Sequence, residues 1–100
     1  MLPTSANSVA AIYNYDFAIS LYNDAIAEDP CNISAFNNRG ICFIKKAIDH
    51  YDLNLAQKGC KDIERAILLC KEGDYAKKAL SINALTWAKN VIEVLGNMAA

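Results

Sequence analysis

Four residues between positions 18 and 30 do most to limit what this chain can fold into. Ala18, Tyr22, Ala25 and Pro30 follow one another at intervals of 4, 3 and 5 within the stretch NYDFAISLYNDAIAEDPCN. Residues three and four apart stack on one face of a helix, so Ala18, Tyr22 and Ala25 form a small–large–small ridge. Two small side chains flanking a ring let a neighbouring helix approach closely and lock over it. Pro30 has no N–H and disfavours helical backbone in the residue before it, which closes the element near Glu28. The ridge predicts a helix over 16–28, capped by Asp16, with Ala18, Ile19, Tyr22, Ala25 and Ile26 facing inward.

Beyond the turn Pro30-Cys31-Asn32, a second trio repeats the logic. Phe36, Gly40 and Phe43 are spaced by 4 and 3 in a helix that starts at Asn32 or Ser34 and runs through AFNNRGICFIKKAIDHY. A glycine inside a helix costs on the order of 1 kcal/mol relative to alanine, so Gly40 marks a close crossing. Phe36, Gly40, Phe43, Ala47 and Ile48 are the expected inward residues.

Together, residues 14–43 resemble the tetratricopeptide repeat, as one second helix followed by one first helix in correct phase. The family's first-helix pattern is W-x-x-L-G-x-x-Y; here Phe36 and Phe43 stand in the Trp and Tyr places and Arg39 replaces Leu. The resemblance implies an all-α fold of antiparallel αα-hairpins stacked as a short right-handed array. It also implies an interaction scaffold without chemistry of its own.

The pattern then departs from the repeat. The next small–large–small signature, Gly59, Ile63 and Ala66, arrives seven residues late. An insertion over about 48–55 therefore elongates the second hairpin into a projecting tip carrying His50, Tyr51 and Asp52. The fourth helix, 54–71, has Leu53, Ala56, Cys60, Ile63, Ile67 and Cys70 on its stripe, with Gly73 and Asp74 as the stop and start signals that follow. The fifth, 75–95, places Tyr75, Ala79, Ile82, Leu85, Ala88, Ile92 and Leu95 at spacings of three and four, keeps Lys77, Lys78 and Lys89 off that stripe, and ends at Gly96. With a short first helix from Asn7 or Ser8 to Asn14, apolar at Val9, Ile12 and Tyr13, the chain reads as five helices in a single domain spanning 1–100. Two repeats and a half are fewer than open arrays usually need, so the last helix closes the core or a second copy completes it as a homodimer. Trp87 is read either as buried core or as an interface residue off the stripe.

Composition narrows the function classes. A net charge of −1 does not suit nucleic acid, which asks for clustered Lys and Arg. That charge is polarised: residues 1–38 hold four acids and no base, whereas 39–100 hold ten bases and seven acids. Such a molecule suits a charged partner or pairs head to tail with itself. No apolar run reaches the roughly 18 residues of a membrane span, and no basic region precedes the mildly apolar N-terminus as a secretory signal requires. Cys31, Cys42, Cys60 and Cys70 include no C-x-x-C pair and His50 is the single histidine, so neither a metal nor another cofactor is expected. Reduced core thiols at Cys42, Cys60 and Cys70 point to a cytoplasmic protein.

Nor does the sequence hold an enzyme's constellation. His50 lies eight residues from Cys42, about 12 Å along a helix, too far for a cysteine–base pair. There is no phosphate loop, paired carboxylate or HExxH signature. Asp62 and Glu64 among Lys58, Lys61 and Arg65 read as a salt-bridged exposed helix face.

In the resembling family, first helices line the inner groove, which assigns Ser34, Asn37, Asn38, Ile41 and Lys45 to partner binding. Asparagine offers a peptide main chain both a donor and an acceptor, and Lys45 suits a carboxylate. The family's two-asparagine carboxylate clamp would use Asn7 and Asn38, but its basic places hold Pro3, Tyr75 and Ala79. The sequence thus reads as a non-catalytic adaptor for another protein or peptide. The alternative is a small inhibitor or immunity-type protein acting through its inserted tip or its acidic N-terminal third.

Overall fold

A computed structural model describes residues 15–99 of the chain. The short helix expected before Asn14 lies outside the described residues, as do Pro3 and Asn7. The described residues form four helices: α1 (Tyr15–Glu28), α2 (Ile33–His50), α3 (Leu53–Leu69) and α4 (Tyr75–Ala99). They contain no strand, so the fold is all-α as expected.

Each boundary has a local cause. Asn32 is the N-cap of α2, its side chain accepting from the Ala35 N–H at 2.9 Å. Asp16 falls inside the first turn of α1 rather than at its cap, and its carboxylate meets Lys46. Residues 48–55 make no separate loop: α2 and α3 join through Tyr51 and Asp52 alone. Tyr51 takes the left-handed conformation (φ 52°) as the α2 C-cap, its N–H donating to the Ala47 and Ile48 carbonyls. Asp52 caps α3 by accepting from Leu55 N–H at 3.1 Å. Two residues earlier than expected, α3 ends at Leu69 with Cys70 as its C-cap, and Gly73 (φ 98°) turns the chain into α4. Gly96 does not end α4, which continues to Ala99.

Side-chain pairs give the directions. Asp16 meets Lys46 while Asn23 meets Arg39, so α1 and α2 run antiparallel. Between α2 and α3 the crossing is as close as backbones allow. A Cβ built on Gly40 would lie 2.6 Å from the Gly59 carbonyl oxygen, and one on Gly59 would lie 2.6 Å from that of Gly40. The expectation that Gly40 marks a close approach is met, with Gly59 as its counterpart.

Two apolar clusters result. Ala18, Tyr22, Ala35 and Cys42 bury between α1 and α2. Ile44, Ala47, Ala56, Cys60, Ile63, Ala88 and Leu95 bury among α2, α3 and α4, with Ile41 and Trp87 packed against them. Trp87 is thus part of the core's edge.

Three expectations need correction. Ile48 is exposed, because the register that buries Ile44 and Ala47 turns it outward. In α4 the buried residues are Ser81, Ala88 and Leu95, seven apart, while Tyr75, Ala79 and Ile82 are exposed. α4 is apolar on more than one side, so periodicity alone did not choose its packed face. Asp62 does not belong to an exposed charged face: it is 8 % exposed and paired across the interface with Arg39.

That pair organises three helices. Arg39 Nε and its terminal amine donate to the two Asp62 carboxylate oxygens, each at 2.8 Å, and the other terminal amine donates to Asn23 Oδ1 at 2.9 Å. The guanidinium lies 5.4 Å from the Phe36 ring centre and 5.9 Å from that of Phe43. The planar fork of arginine suits this site, and the bidentate bond to Asp62 holds the guanidinium above its ordinary pKa.

Candidate functional site

The candidate site grows from the seam between α2 and α4. Ser81 lies one helical face along from Ala88 and Leu95 and is 1 % exposed. A buried hydroxyl must find a partner, and Ser81 Oγ donates to Asn37 Oδ1 at 2.9 Å. Asn37 Nδ2 in turn donates to Asn38 Oδ1 at 3.3 Å. The chain of donors runs one way, from Ser81 through Asn37 to Asn38, and ends with the Asn38 NH2, which has no acceptor among the described residues.

These residues open onto a recess of about 230 Å³, walled by Ile33, Ser34, Asn37 and Asn38 of α2 and by Lys77, Leu80 and Ser81 of α4. The Asn38 amide and the Lys77 ammonium make it donor-rich, with apolar flanks at Ile33 and Leu80. It suits acceptor-bearing ligands, such as peptide carbonyls or a carboxylate. Among the described residues, neither a carboxylate, an imidazole nor a thiol lines it.

Of the five residues assigned from sequence, Ser34, Asn37 and Asn38 share this recess. Ile41 packs against the core cluster beneath α4, and Lys45 lies half-buried further along α2, outside the recess. The sequence reading missed Lys77, Leu80 and Ser81. The interval of seven linking Ser81 to Ala88 and Leu95 was the signal that could have found them.

A second concavity sits at the other end of the same seam. Ile48, Tyr51, Val91, Val94, Leu95 and Met98, with Asn90, line an apolar groove of about 310 Å³ beside the hairpin tip. Ile48, Tyr51, Val94 and Met98 are exposed around it, Tyr51 at 71 %.

The thiols and the histidine stand apart from both. All four cysteines are unpaired: Cys31 is exposed, Cys42 and Cys60 are buried, and Cys70 is half-buried. Burial raises the Cys60 thiol, with Glu64 adding to the rise and Lys89 opposing it. His50 is exposed at the end of α2. Among the described residues, no cluster of His, Cys, Asp or Glu could hold a metal ion, and no helix is long and apolar enough to cross a membrane.

Burial of Cys42 and Tyr22 sets a pH dependence of stability. Cys42 is 2 % exposed; burial pushes its thiol from 9.0 up to about 11, against the pull of Lys45. Burial raises the Tyr22 phenol from 10.0 to about 12, and Cys42 adds to the rise. Both groups are neutral when protonated, so on raising the pH the unfolded chain ionises first. Stability is therefore undiminished below pH 9 and falls through pH 9 to 11 for Cys42, then through 10 to 12 for Tyr22. Each group accounts for a loss of about 2–3 kcal/mol once the folded form ionises. Urea unfolding across this range should show the decline, and Cys42→Ala should flatten its part between pH 9 and 11.

Comparison with protein-family models, with curated proteins and with solved structures found no match in any of the three.

Proposed function

We propose that this protein is a non-catalytic interaction module that holds an extended segment of a partner protein in the recess between α2 and α4. The observation that carries this reading is the one-way donor chain from Ser81 through Asn37, which leaves the Asn38 NH2 and the Lys77 ammonium facing acceptor groups of a ligand. An extended peptide presents carbonyls at regular intervals, and the apolar flanks at Ile33 and Leu80 accommodate its side chains. A tetratricopeptide-type arrangement is part of the proposal. It is supported by the Phe36–Gly40–Phe43 and Ala18–Tyr22–Ala25 trios and by the reciprocal Gly40–Gly59 crossing. On the same reading the protein is cytoplasmic, where its four thiols stay reduced.

Affinity capture from lysate of the cells that make the protein, followed by titration of the captured partner, tests the reading. Asn38→Ala and Lys77→Glu should each weaken binding by tenfold or more, whereas Lys45→Glu, outside the recess, should have a smaller effect. A partner retained at full affinity by both recess variants would overturn it.

The apolar groove favours one second reading, a protein that blocks a larger target through its hairpin tip. Exposed Tyr51 and Ile48 beside Val94 and Met98 would then make the contact. Tyr51→Ala and Val94→Asp would abolish capture under that reading and leave it intact under the first.

A further inference from the structure

The charge asymmetry of the sequence becomes spatial in the fold. α1 carries three acids and no base, and packs against α2. α4 carries Lys77, Lys78 and Lys89 against the single acid Glu93, and packs against α3 and α2. Ion pairing inside the molecule cancels only part of this: among the described residues Lys46 pairs with Asp16 of α1, and the other ion pair is Arg39–Asp62. Asp24 and Glu28 on α1, and all three lysines on α4, remain exposed.

The outward faces of these two helices differ in charge. On α4, Tyr75, Lys78, Ile82 and Lys89 fall within about 60° of the helix circumference, all exposed and turned away from the recess. On α1, Phe17, Ser20, Asp24, Ala27 and Glu28 share an exposed arc away from the buried Ala18 and Tyr22. Of the five exposed large apolar side chains that α4 carries, Tyr75 and Ile82 lie on this face, Leu80 in the recess, and Val94 and Met98 in the apolar groove.

We infer that copies of this chain stack head to tail, the α4 face of one seated on the α1 face of the next. Lys78 approaches Asp24 and Glu28 of the neighbour with Lys89 further along the rim, while Tyr75 and Ile82 lie against the apolar side chains Phe17 and Ala27. The two faces are different surfaces of one molecule, so a copy seated by one face leaves its other face free, and repetition of the contact gives an open chain where the rotation does not close. Its charged rim makes it salt-sensitive. The recess is not part of the contact, so this inference stands or falls independently of the proposed function.

Sedimentation of the full chain from micromolar to millimolar concentration tests it. Wild type should show a weight-average mass that rises past two chains without a plateau at low salt, and falls back towards one chain in half-molar NaCl. Lys78→Glu/Lys89→Glu and Asp24→Lys/Glu28→Lys should each be monomeric throughout, and an equimolar mixture of the two should regain association. Regained association also shows that both variants are folded. A wild type that stays monomeric at every concentration would overturn the inference. So would a mass that stops at two chains, which indicates closure about a two-fold, or association of the α1 variant alone equal to wild type, which indicates a contact through α4 alone.

Discussion

Gly40→Ala should destabilise the protein by about 3 kcal/mol or more, the upper part of the range for overpacked cores. The added Cβ would lie 2.6 Å from the Gly59 carbonyl oxygen and 2.7 Å from Ile63 Cγ1. The first of these atoms is backbone, so no rotamer change relieves it; α2 and α3 must separate along their whole crossing. Gly59→Ala should behave alike, because its Cβ would meet the Gly40 carbonyl at 2.6 Å and Ile44 Cγ1 at 2.9 Å. Two controls isolate the cause. Ile63→Ala added to Gly40→Ala should not restore stability, since it leaves the carbonyl contact in place. Gly96→Ala, with nothing within 4 Å of its Cβ, should instead stabilise the helical α4 by up to about 1 kcal/mol. Denaturant midpoints with unchanged m-values would check all four variants. A Gly40→Ala variant as stable as wild type would show that the helices do not cross this closely.

Asp62→Ala should cost about 3–5 kcal/mol, because it strands the Arg39 guanidinium between helices without its carboxylate. Both side chains are largely withdrawn from water, at 20 % and 11 % exposure for Arg39 and Asp62. Arg39→Ala should be as damaging, since it orphans Asp62 and removes the group stacked by Phe36 and Phe43. Replacing both by apolar residues of similar volume, Arg39→Met with Asp62→Leu, should recover most of the loss, because neither charge then remains buried alone. A double-mutant cycle read by urea unfolding separates these cases, with a coupling above about 1 kcal/mol expected for the pair. Asn23→Ala should cost less, since its bond to Arg39 is exposed.

Much of the fold was legible because it rests on local rules. The α1 and α2 ridges repeat at three and four residues, Pro30 cannot continue a helix, and Asn32 has a side chain that satisfies a first free N–H group of a helix. The form of residues 48–55 was not legible: the two-residue join of α2 and α3 depended on Tyr51 accepting a left-handed backbone, which its type does not announce. The recess was half legible. Ser34, Asn37 and Asn38 follow from their places on one helix, whereas Lys77, Leu80 and Ser81 belong to a helix 44 residues further on, as the separation of Ser81 from Asn37 shows.

By itself, the sequence determined that this chain is helical, where three of the helices begin and end to within a few residues, and that Gly40 sits at a close crossing. These follow from side-chain periodicity and backbone sterics, which act over one or two turns. Tertiary structure alone decided which face of α4 is packed, that Asp62 pairs with Arg39 instead of with its lysine neighbours, and that Ser81 orients Asn37 at the recess. Each of these choices compares environments that residues distant in sequence create together. A carboxylate among lysines on one helix gains little in water, but the same carboxylate against the Arg39 guanidinium in a partly buried interface gains two charge-assisted hydrogen bonds.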